Sequence, residues 1–282
     1  MKTLKTIMMT CFIAIFVSCE DVVDVEVQDG PKRLVVEASL NWEKGTPGNE
    51  QTIQLRESTP FYDTNRVTSV TGASVVVTNI SSGEDYIFED EGNGTYHTTS
   101  FEPVMGQSYS LRIDYNGEVY TAVETMTPVT DITNVFQDRD QGFDKDILEA
   151  HVVFVDPMEE GNNYLFKFHR QGDLLPELEV GEDKFINGNE LDWWYEIEED
   201  KDENVKPFQP GDVLNIEMYG ISRAYYDYMK ILVSQLGGVG LFETVPLAVK
   251  GNCVNETNPK NYAFGYFRLT EFVKAEYTFV ED

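Results

Sequence analysis

Apolar and polar residues alternate along the first half of the chain. From Leu34 to Trp42 every second residue is apolar, and a period of two places these side chains on one face of a β-strand. Similar short runs, rich in β-branched and aromatic residues and bounded by turn signals, predict further strands. They lie at residues 53–55, 73–77, 86–88, 95–97, 109–115 and 118–125. The pattern therefore predicts seven short strands before the middle of the chain.

The turn signals predict how these strands connect. Asn116-Gly117 favours a two-residue hairpin, because both turn positions need a positive φ. Glu91 to Gly94 form another hairpin signal. Short strands with regular turns are typical of an immunoglobulin-like or fibronectin-like sandwich, which we predict for residues 33–127. This part of the chain has no cysteine, so a disulfide does not pin the predicted sandwich.

The second half is also predicted to consist mostly of strands. Apolar and β-branched residues mark strands at 150–155, 164–169 and 213–219. Residues 126–129 indicate a domain boundary, so a second β-rich domain is predicted over 128–282. The fold class is therefore mainly all-β.

One stretch of the second half has helical spacing, near residues 222–236. Ser222 suits a helix N-cap and Gly237-Gly238 suits a helix end. Between them apolar residues recur at a spacing of three and four. These residues are Ala224, Tyr225, Tyr228, Met229, Leu232 and Leu236. We expect this stripe to pack on the second sheet.

Residues 1–18 have the pattern of a secretory signal peptide. Two lysines precede an apolar stretch at 7–17, which is about half the length needed to span a bilayer. Cys19 follows Ser18 at the end of this stretch, an arrangement that resembles a bacterial lipobox. We therefore predict cleavage before Cys19 and lipid attachment to its thiol. Ordinary secretion, with Cys19 unmodified, is the alternative.

Residues 19–32 are predicted to be a lipidated acidic tether. Its acidic residues follow the lipid cysteine at once; they are Glu20, Asp21, Asp24 and Glu26. Such a start resembles the surface-export signal of Bacteroidetes lipoproteins, and a plain polar linker is the alternative. Several acyl chains hold a protein firmly on a membrane. The predicted location is a bacterial membrane, reached through lipid on Cys19, with exposure on the cell surface if the acidic cluster is an export signal.

The charge of the chain restricts its partners. Its 21 basic and 50 acidic residues give a formal net charge of −29, which becomes −31 when the two lysines of residues 1–18 are removed. So acidic a chain repels phosphate, which argues against nucleic-acid binding. Acidity otherwise keeps a protein in solution and identifies no partner.

The residues that usually carry catalysis or bind metals form no recognisable motif. His97, His151 and His169 lack zinc-ligand spacing, and there is neither a nucleophile elbow nor a phosphate-binding glycine loop. Cys253 has no cysteine partner downstream of the tether and is expected to be buried or inert. Among 50 acidic residues, pairs at glycosidase separation arise by chance. The sequence predicts a non-enzymatic protein with no cofactor and no metal site.

An acidic segment at residues 138–149 partly follows the spacing of a calcium-binding EF-hand loop. The residues on ligand positions are Asp138, Asp140, Asp144, Asp146 and Glu149. However, Gly142 replaces a ligand, and Phe143 replaces the glycine that the turn needs. A solvated loop is the favoured interpretation, and calcium binding is the alternative.

Trp193, Trp194 and Tyr195 form the best candidate contact surface for a partner or ligand. They lie in an acidic stretch, and consecutive residues of a strand face opposite sides. One tryptophan is therefore expected in the core, and the other could stack on a sugar or pack on a partner. The alternative is that both are buried.

Several short segments together resemble a known family. They are residues 34–37 (LVVE), 106–111 (GQSYSL), 154–157 (FVDP), 162–164 (NNY), 211–212 (GD), 221–228 (ISRAYYDY) and 264–267 (FGYF). Their order and spacing resemble the Bacteroidetes outer-membrane lipoproteins classed as domain-of-unknown-function-4249, over nearly the whole chain after Cys19. The resemblance implies a fibronectin-like domain, a second β-rich domain and an accessory role beside a TonB-dependent transporter.

Two functions follow as expectations. The first is a non-enzymatic, lipid-anchored accessory protein of the outer membrane, associated with a TonB-dependent transporter. The second is a surface lipoprotein that captures a glycan or peptide through Trp193–Tyr195. A hydrolase is a more distant third.

Overall fold

The computed structural model describes residues 30–60, 67–142, 145–183, 187–199, 205–236 and 249–281. The predicted signal peptide and Cys19 lie outside these ranges, as does the predicted tether up to residue 29. The described part is built of strands with a single helix, which confirms the all-β fold class with an immunoglobulin/fibronectin-like sandwich.

Fifteen strands and one helix follow one another along the described chain. They are β1 (Leu34–Glu43), β2 (Gln51–Glu57), β3 (Ser74–Asn79), β4 (Asp85–Asp90), β5 (Thr95–Thr98), β6 (Ser108–Tyr115), β7 (Glu118–Thr125), β8 (Ile132–Asp138), β9 (Glu149–Val155), β10 (Asn163–Arg170), β11 (Glu177–Glu182), β12 (Glu190–Glu196), β13 (Val213–Gly220), α1 (Arg223–Leu236), β14 (Val254–Asn255) and β15 (Phe264–Thr278).

The first seven strands form the predicted sandwich. One sheet has the order β1-β2-β5, and the other has the order β4-β3-β6-β7. Alternate residues of each strand point into a common core, as in β1, where Val36, Ala38 and Leu40 are fully buried. At the tip of the β6–β7 hairpin, Asn116 and Gly117 have φ angles of 50° and 77°, as the two-residue turn requires.

The second half contains two packed layers. One layer has the order β11-β10-β13-β15, and the other is a three-stranded sheet of order β12-β9-β8. The core between them is aromatic, because Phe166 and Phe168 on β10 face Trp193 and Tyr195 on β12. The three predicted strands correspond to β9, β10 and β13.

Strand β15 connects the two halves. Phe264–Phe272 pairs in parallel with β1, and Phe272–Thr278 pairs antiparallel with β13. The segment that leads into β15 also enters the first core, where Cys253 and Phe267 are buried with the sandwich residues. The predicted division at residues 33–127 and 128–282 stays a prediction, but the C-terminal segment packs with both cores.

Helix α1 covers the outer face of the β11-β10-β13-β15 layer. The Ser222 hydroxyl accepts a hydrogen bond from the Tyr225 amide at 3.2 Å, so it caps the helix as predicted. Tyr225 and Met229 are buried against the sheet. Ala224 is exposed, and Tyr226 is buried instead, so the buried stripe is wider on the Tyr226 side than predicted. No helix in the described part of the chain is long and apolar enough to span a membrane.

A glycine on β15 allows its close approach to β1. Gly265 has a φ of +85°, and a Cβ there would lie 2.0 Å from the Val36 carbonyl oxygen. Gly83 also has a positive φ, of +74°, but a Cβ there would meet no atom within 4 Å. The two glycines therefore share a backbone conformation and differ in the space around them.

We predict that Gly265→Ala destabilises the protein more than Gly83→Ala. The positive φ should cost about 1–2 kcal/mol at either position. The clash at Gly265 should add about 2 kcal/mol or more, because β15 must move away from β1. Urea unfolding of both variants measures the difference. Equal losses of stability would contradict the close β1–β15 pairing.

Candidate functional site

An open groove lies between α1, β11 and β12. It has a volume of about 570 Å³ and a mostly apolar lining. Its residues come from three elements; they are Leu178, Glu179 and Val180 of β11, Asp192, Trp193 and Trp194 of β12, and Tyr226, Lys230, Val233 and Ser234 of α1. Two of the three aromatic residues singled out by the sequence therefore line this groove.

The groove lies along the ends of two sheets. In the described structure β11 is the end strand of the β11-β10-β13-β15 layer, and β12 is the end strand of the three-stranded sheet. The end strand of a sheet presents backbone N–H and C=O groups that no neighbouring strand has paired. The groove thus combines an apolar lining with the edges of two strands.

Trp193 is held firmly in one wall of the groove. Its ring stacks on Phe166 with the centroids 4.6 Å apart, and its indole Nε1 donates a hydrogen bond to Glu179 Oε2 at 2.7 Å. A Cβ on Gly181 would lie 2.5 Å from the Trp193 ring, so only glycine leaves room for this packing. Trp193 therefore joins β12 to β10 and β11.

Charged groups stand at the margins of the groove. Burial raises the pKa of Glu179, while the hydrogen bond from Trp193 opposes this by stabilising the carboxylate. Asp192 and Lys230 are exposed, and the Lys230 ammonium lies 5.5 Å from the centre of the Tyr226 ring. The groove can therefore accept an apolar group and offer both a cation and carboxylates at its rim.

Trp194 and Tyr195 differ in exposure. Tyr195 is in the core, where its ring stacks on Phe168 at 4.2 Å. Trp194 lies on the opposite face of β12, beside His151 of β9, and is half-buried. Trp193 is half-buried as well and packs against the second core, so the two tryptophans lie on opposite faces of β12 and neither is fully exposed. Tyr195, proposed as a contact residue, faces the core.

The helix wall of the groove was missed in the sequence. Tyr226, Lys230 and Val233 line it, and their spacing of four and three places them on one helix face. A second stripe beside the predicted one was the available signal. Nothing in the sequence showed that this stripe would face β11 and β12.

A buried histidine lies near the groove, and among the described residues both of its ring nitrogens face carboxylates. His151 Nδ1 is 2.8 Å from Asp192 Oδ1, and the ring stacks on Phe136 at 4.5 Å. Nε2 faces the Glu149 carboxylate, at 3.8 Å. In a triad this second nitrogen would contact a hydroxyl or thiol nucleophile. His151 thus connects β9 to Asp192 of β12.

In the acidic segment at residues 138–149, the last predicted calcium ligand is Glu149, and it binds the backbone of the loop. The Glu149 carboxylate is buried and accepts hydrogen bonds from the backbone N–H groups of Gln141 and Gly142, at 2.8 and 2.9 Å. Phe143 and Asp144 lie outside the described residues. Glu149 therefore closes this loop through hydrogen bonds to its backbone.

The remaining candidates also have structural environments. Cys253 is buried as expected, and burial raises the pKa of its thiol to about 12, so it is a poor nucleophile near neutral pH. His169 Nε2 lies 3.0 Å from the Asp173 carbonyl oxygen. His97 lies on β5 of the sandwich. In the described part of the chain no three histidine, cysteine or acidic residues are placed to hold a metal ion.

Comparison with solved structures gives distant similarities. The chain is similar to a chain of a cytokine receptor complex, with 9% identity, a TM-score of 0.27, and coverage of 88% of this chain and 97% of that one. It is also similar to a segment of two fibronectin type III domains from chicken tenascin, with 13% identity, a TM-score of 0.22, and coverage of 69% and 92%. A search of curated proteins found no match.

The sequence profile of one family matches most of the chain. The family is described as Domain of unknown function (DUF4249), and the match extends over residues 20–274. It begins directly after Cys19 and includes both halves of the fold, the groove and most of β15. The protein is therefore a member of the DUF4249 family, as the sequence motifs indicated.

Proposed function

We propose that this protein is a non-enzymatic, lipid-anchored accessory protein of the outer membrane that binds a partner protein in the groove between α1, β11 and β12. The observation that carries the proposal is the coincidence of an apolar groove, two tryptophans and two strand edges. The family resemblance implies that the partner is a TonB-dependent transporter.

The shape of the groove favours an extended segment of the partner. Such a segment can pair with the edge of β11 or β12 through backbone hydrogen bonds, while alternate side chains enter pockets. Val180, Val233 and the Trp194 ring offer apolar surface for these side chains. Aromatic residues in a partly enclosed site contribute much of the binding energy of an interface.

The charges of the protein would restrict and orient the partner. Its net charge of −29 favours partner surfaces with basic residues. Glu179 and Asp192 place carboxylates at the groove itself. A short tether on the membrane would also raise the effective concentration of any membrane-embedded partner.

The second candidate function is capture of a glycan or peptide. The half-buried Trp194 and the exposed Asp192 lie two residues apart on β12 and both line the groove. A ring and a carboxylate on one surface suit a sugar, which stacks on the ring and donates hydroxyl hydrogens to the acid. If the groove captures a small ligand, that ligand should bind to the purified protein alone. If the groove binds a partner protein, binding should be seen only when that second protein is present.

We predict that Cys19 carries the lipid. Cys19→Ala should abolish labelling with fatty acid and move the protein from the membrane fraction to the soluble periplasm, because the acyl chains supply the anchoring energy. Cys253→Ala is the matched control and should keep label and location. A Cys19→Ala protein that is still acylated and still in the membrane would contradict the anchor.

We predict that the groove retains a large outer-membrane protein in a pull-down from mild detergent. Val233→Glu and Trp194→Ala should each lower its recovery at least about tenfold, since either change removes apolar contact in the groove. Ile231→Glu adds the same charge on the same helix at a residue that is 44% exposed and does not line the groove, so it should leave recovery unchanged.

The melting temperature of each variant shows whether it is folded before its binding is compared. Recovery of the lipoprotein alone, or equal losses in Val233→Glu and Ile231→Glu, would contradict a partner site in the groove. Saturable binding of a glycan to the purified protein, lost in Trp194→Ala, would support the second candidate function.

A further inference from the structure

Basic and aromatic side chains meet at the end of the sandwich where β1 begins. Arg33 directly precedes β1, and its guanidinium carbon lies 3.6 Å from the centre of the Tyr262 ring. The Lys250 ammonium lies 4.1 Å from the centre of the same ring. The Phe264 ring packs edge-on against Tyr262, with the centroids 5.5 Å apart. We call these four residues, together with Lys260, the basic patch.

Backbone contacts hold the basic patch in one arrangement. Arg33 Nη1 donates hydrogen bonds to the carbonyl oxygens of Lys260 and Tyr262, at 3.0 and 3.3 Å. Lys250 pairs with Phe264 through an isolated β-bridge. The Tyr262 ring attracts both of its cations, but the two like charges repel each other. An anion beside the basic patch would therefore lower the energy of this arrangement.

The positive charge of the basic patch is not compensated by the described residues. No salt bridge joins Arg33, Lys250 or Lys260 to a carboxylate in the ranges that the structure describes, whereas the neighbouring Lys32 pairs with Glu57 at 3.1 Å. Lys250 and Lys260 are exposed, and Arg33 is half-buried. In a chain with 21 basic and 50 acidic residues, this is a local surplus of cations.

Acidic residues of the adjoining loop are bound along β7. Glu118 accepts a hydrogen bond from the Tyr120 hydroxyl at 2.7 Å, and Glu256 accepts one from the Thr121 hydroxyl at 2.8 Å. Charges farther away than about 8 Å are largely screened at physiological salt. The net charge of the whole chain therefore does not decide what binds in direct contact with the basic patch.

The position of the basic patch points to the membrane. The chain of about 14 residues from Cys19 to Arg33 extends at most about 50 Å. It joins the sandwich at Arg33, so the end of the protein that carries the basic patch is the end nearest to a lipid on Cys19. The phosphates of lipid headgroups are the anions that this end would meet.

We propose that the basic patch binds the phosphates of lipid headgroups in the membrane that holds Cys19. Lysine and arginine form charge-assisted hydrogen bonds with phosphate, and each basic residue near an anionic lipid surface strengthens binding about fivefold. Tyrosine suits the same place, because its ring is enriched at membrane–water interfaces. The inference rests on the proposed lipid anchor, since the tether supplies the effective concentration that three cations need.

This contact would also determine how far the groove lies from the lipid. Strand β15 begins at Phe264, in the basic patch. The register across β11, β10, β13 and β15 places Leu178 of the groove level with Lys274, about 30 Å along β15 from Phe264. A protein that rests on the basic patch would therefore present the groove to the part of a partner that projects from the bilayer.

Amine labelling on vesicles tests the basic patch. The chain without its signal peptide is coupled through the Cys19 thiol to a maleimide lipid, so natural acylation is not needed. Cys253 is buried and its thiol pKa is raised, so it should not react. One set of vesicles contains phosphatidylcholine alone, and the other contains equal parts of phosphatidylcholine and phosphatidylglycerol. Mass spectrometry gives the labelling rate of each lysine.

Lys250 and Lys260 should be labelled at least about threefold more slowly on the anionic vesicles than on the neutral ones, because phosphates cover their ammonium groups. Lys206, an exposed residue of the second half, should be labelled equally on both. About 1 M salt, where the Debye length is about 3 Å, should remove the difference for Lys250 and Lys260.

A charge reversal separates lipid contact from a general effect of the surface. Lys260→Glu should raise the labelling rate of Lys250 on anionic vesicles at least about twofold, because it reverses one charge of the basic patch. Lys206→Glu is the matched control and should leave Lys250 protected. An anionic surface also lowers the local pH, but that would slow labelling in both variants. The melting temperature of each variant shows that it is folded.

Equal labelling of Lys250 and Lys260 on the two kinds of vesicle would overturn the proposal. So would protection that is as large at Lys206, that persists in Lys260→Glu, or that inorganic phosphate produces equally on neutral vesicles. A chain that is not acylated in cells would contradict the natural anchor alone, because the coupled lipid supplies the attachment in this experiment.

Discussion

Strand β15 carries the constraint on which the rest of the structure depends, since it is hydrogen-bonded in parallel to β1 and antiparallel to β13. Arg268 of β15 adds side-chain contacts to this strand pairing. Its guanidinium bonds to Ser39 and Asn41 of β1 and lies within 5 Å of the Tyr219 and Tyr225 rings. One buried side chain thereby links the sandwich to the layer beneath α1, and cation–π contacts of this kind are worth more when desolvated.

The groove follows from that arrangement. Strand β15 joins the β11-β10-β13-β15 layer to β1, which leaves β11 as the end strand of this layer. Helix α1 packs on the outer face of this layer through Tyr225 and Met229. On the inner face of the layer, Phe166 and Glu179 hold Trp193 of β12. The edge of β11 thus lies between two aromatic walls, where a partner's strand could add to the sheet.

Local signals predicted the local structure well. Period-two alternation and the Asn116-Gly117 turn anticipated the sandwich strands, and Ser222 marked the start of α1. Contacts between distant segments were out of reach, because residues such as Phe267 and Ala38 meet only through the parallel pairing of β15 with β1. The same limit applied to the site: the tryptophans were recognisable by type, whereas Tyr226 and Val233 resembled ordinary helix core residues.

We propose that this protein acts through the groove between α1, β11 and β12. Photo-crosslinking in living cells tests it most directly, with a photoreactive phenylalanine analogue placed at Lys230, in the groove, or at Ile87, which is 59% exposed on β4 of the sandwich. The groove position should give one discrete adduct with a large outer-membrane protein, and the sandwich position should not. An adduct from Ile87 alone, or the same adducts from both positions, would contradict the account.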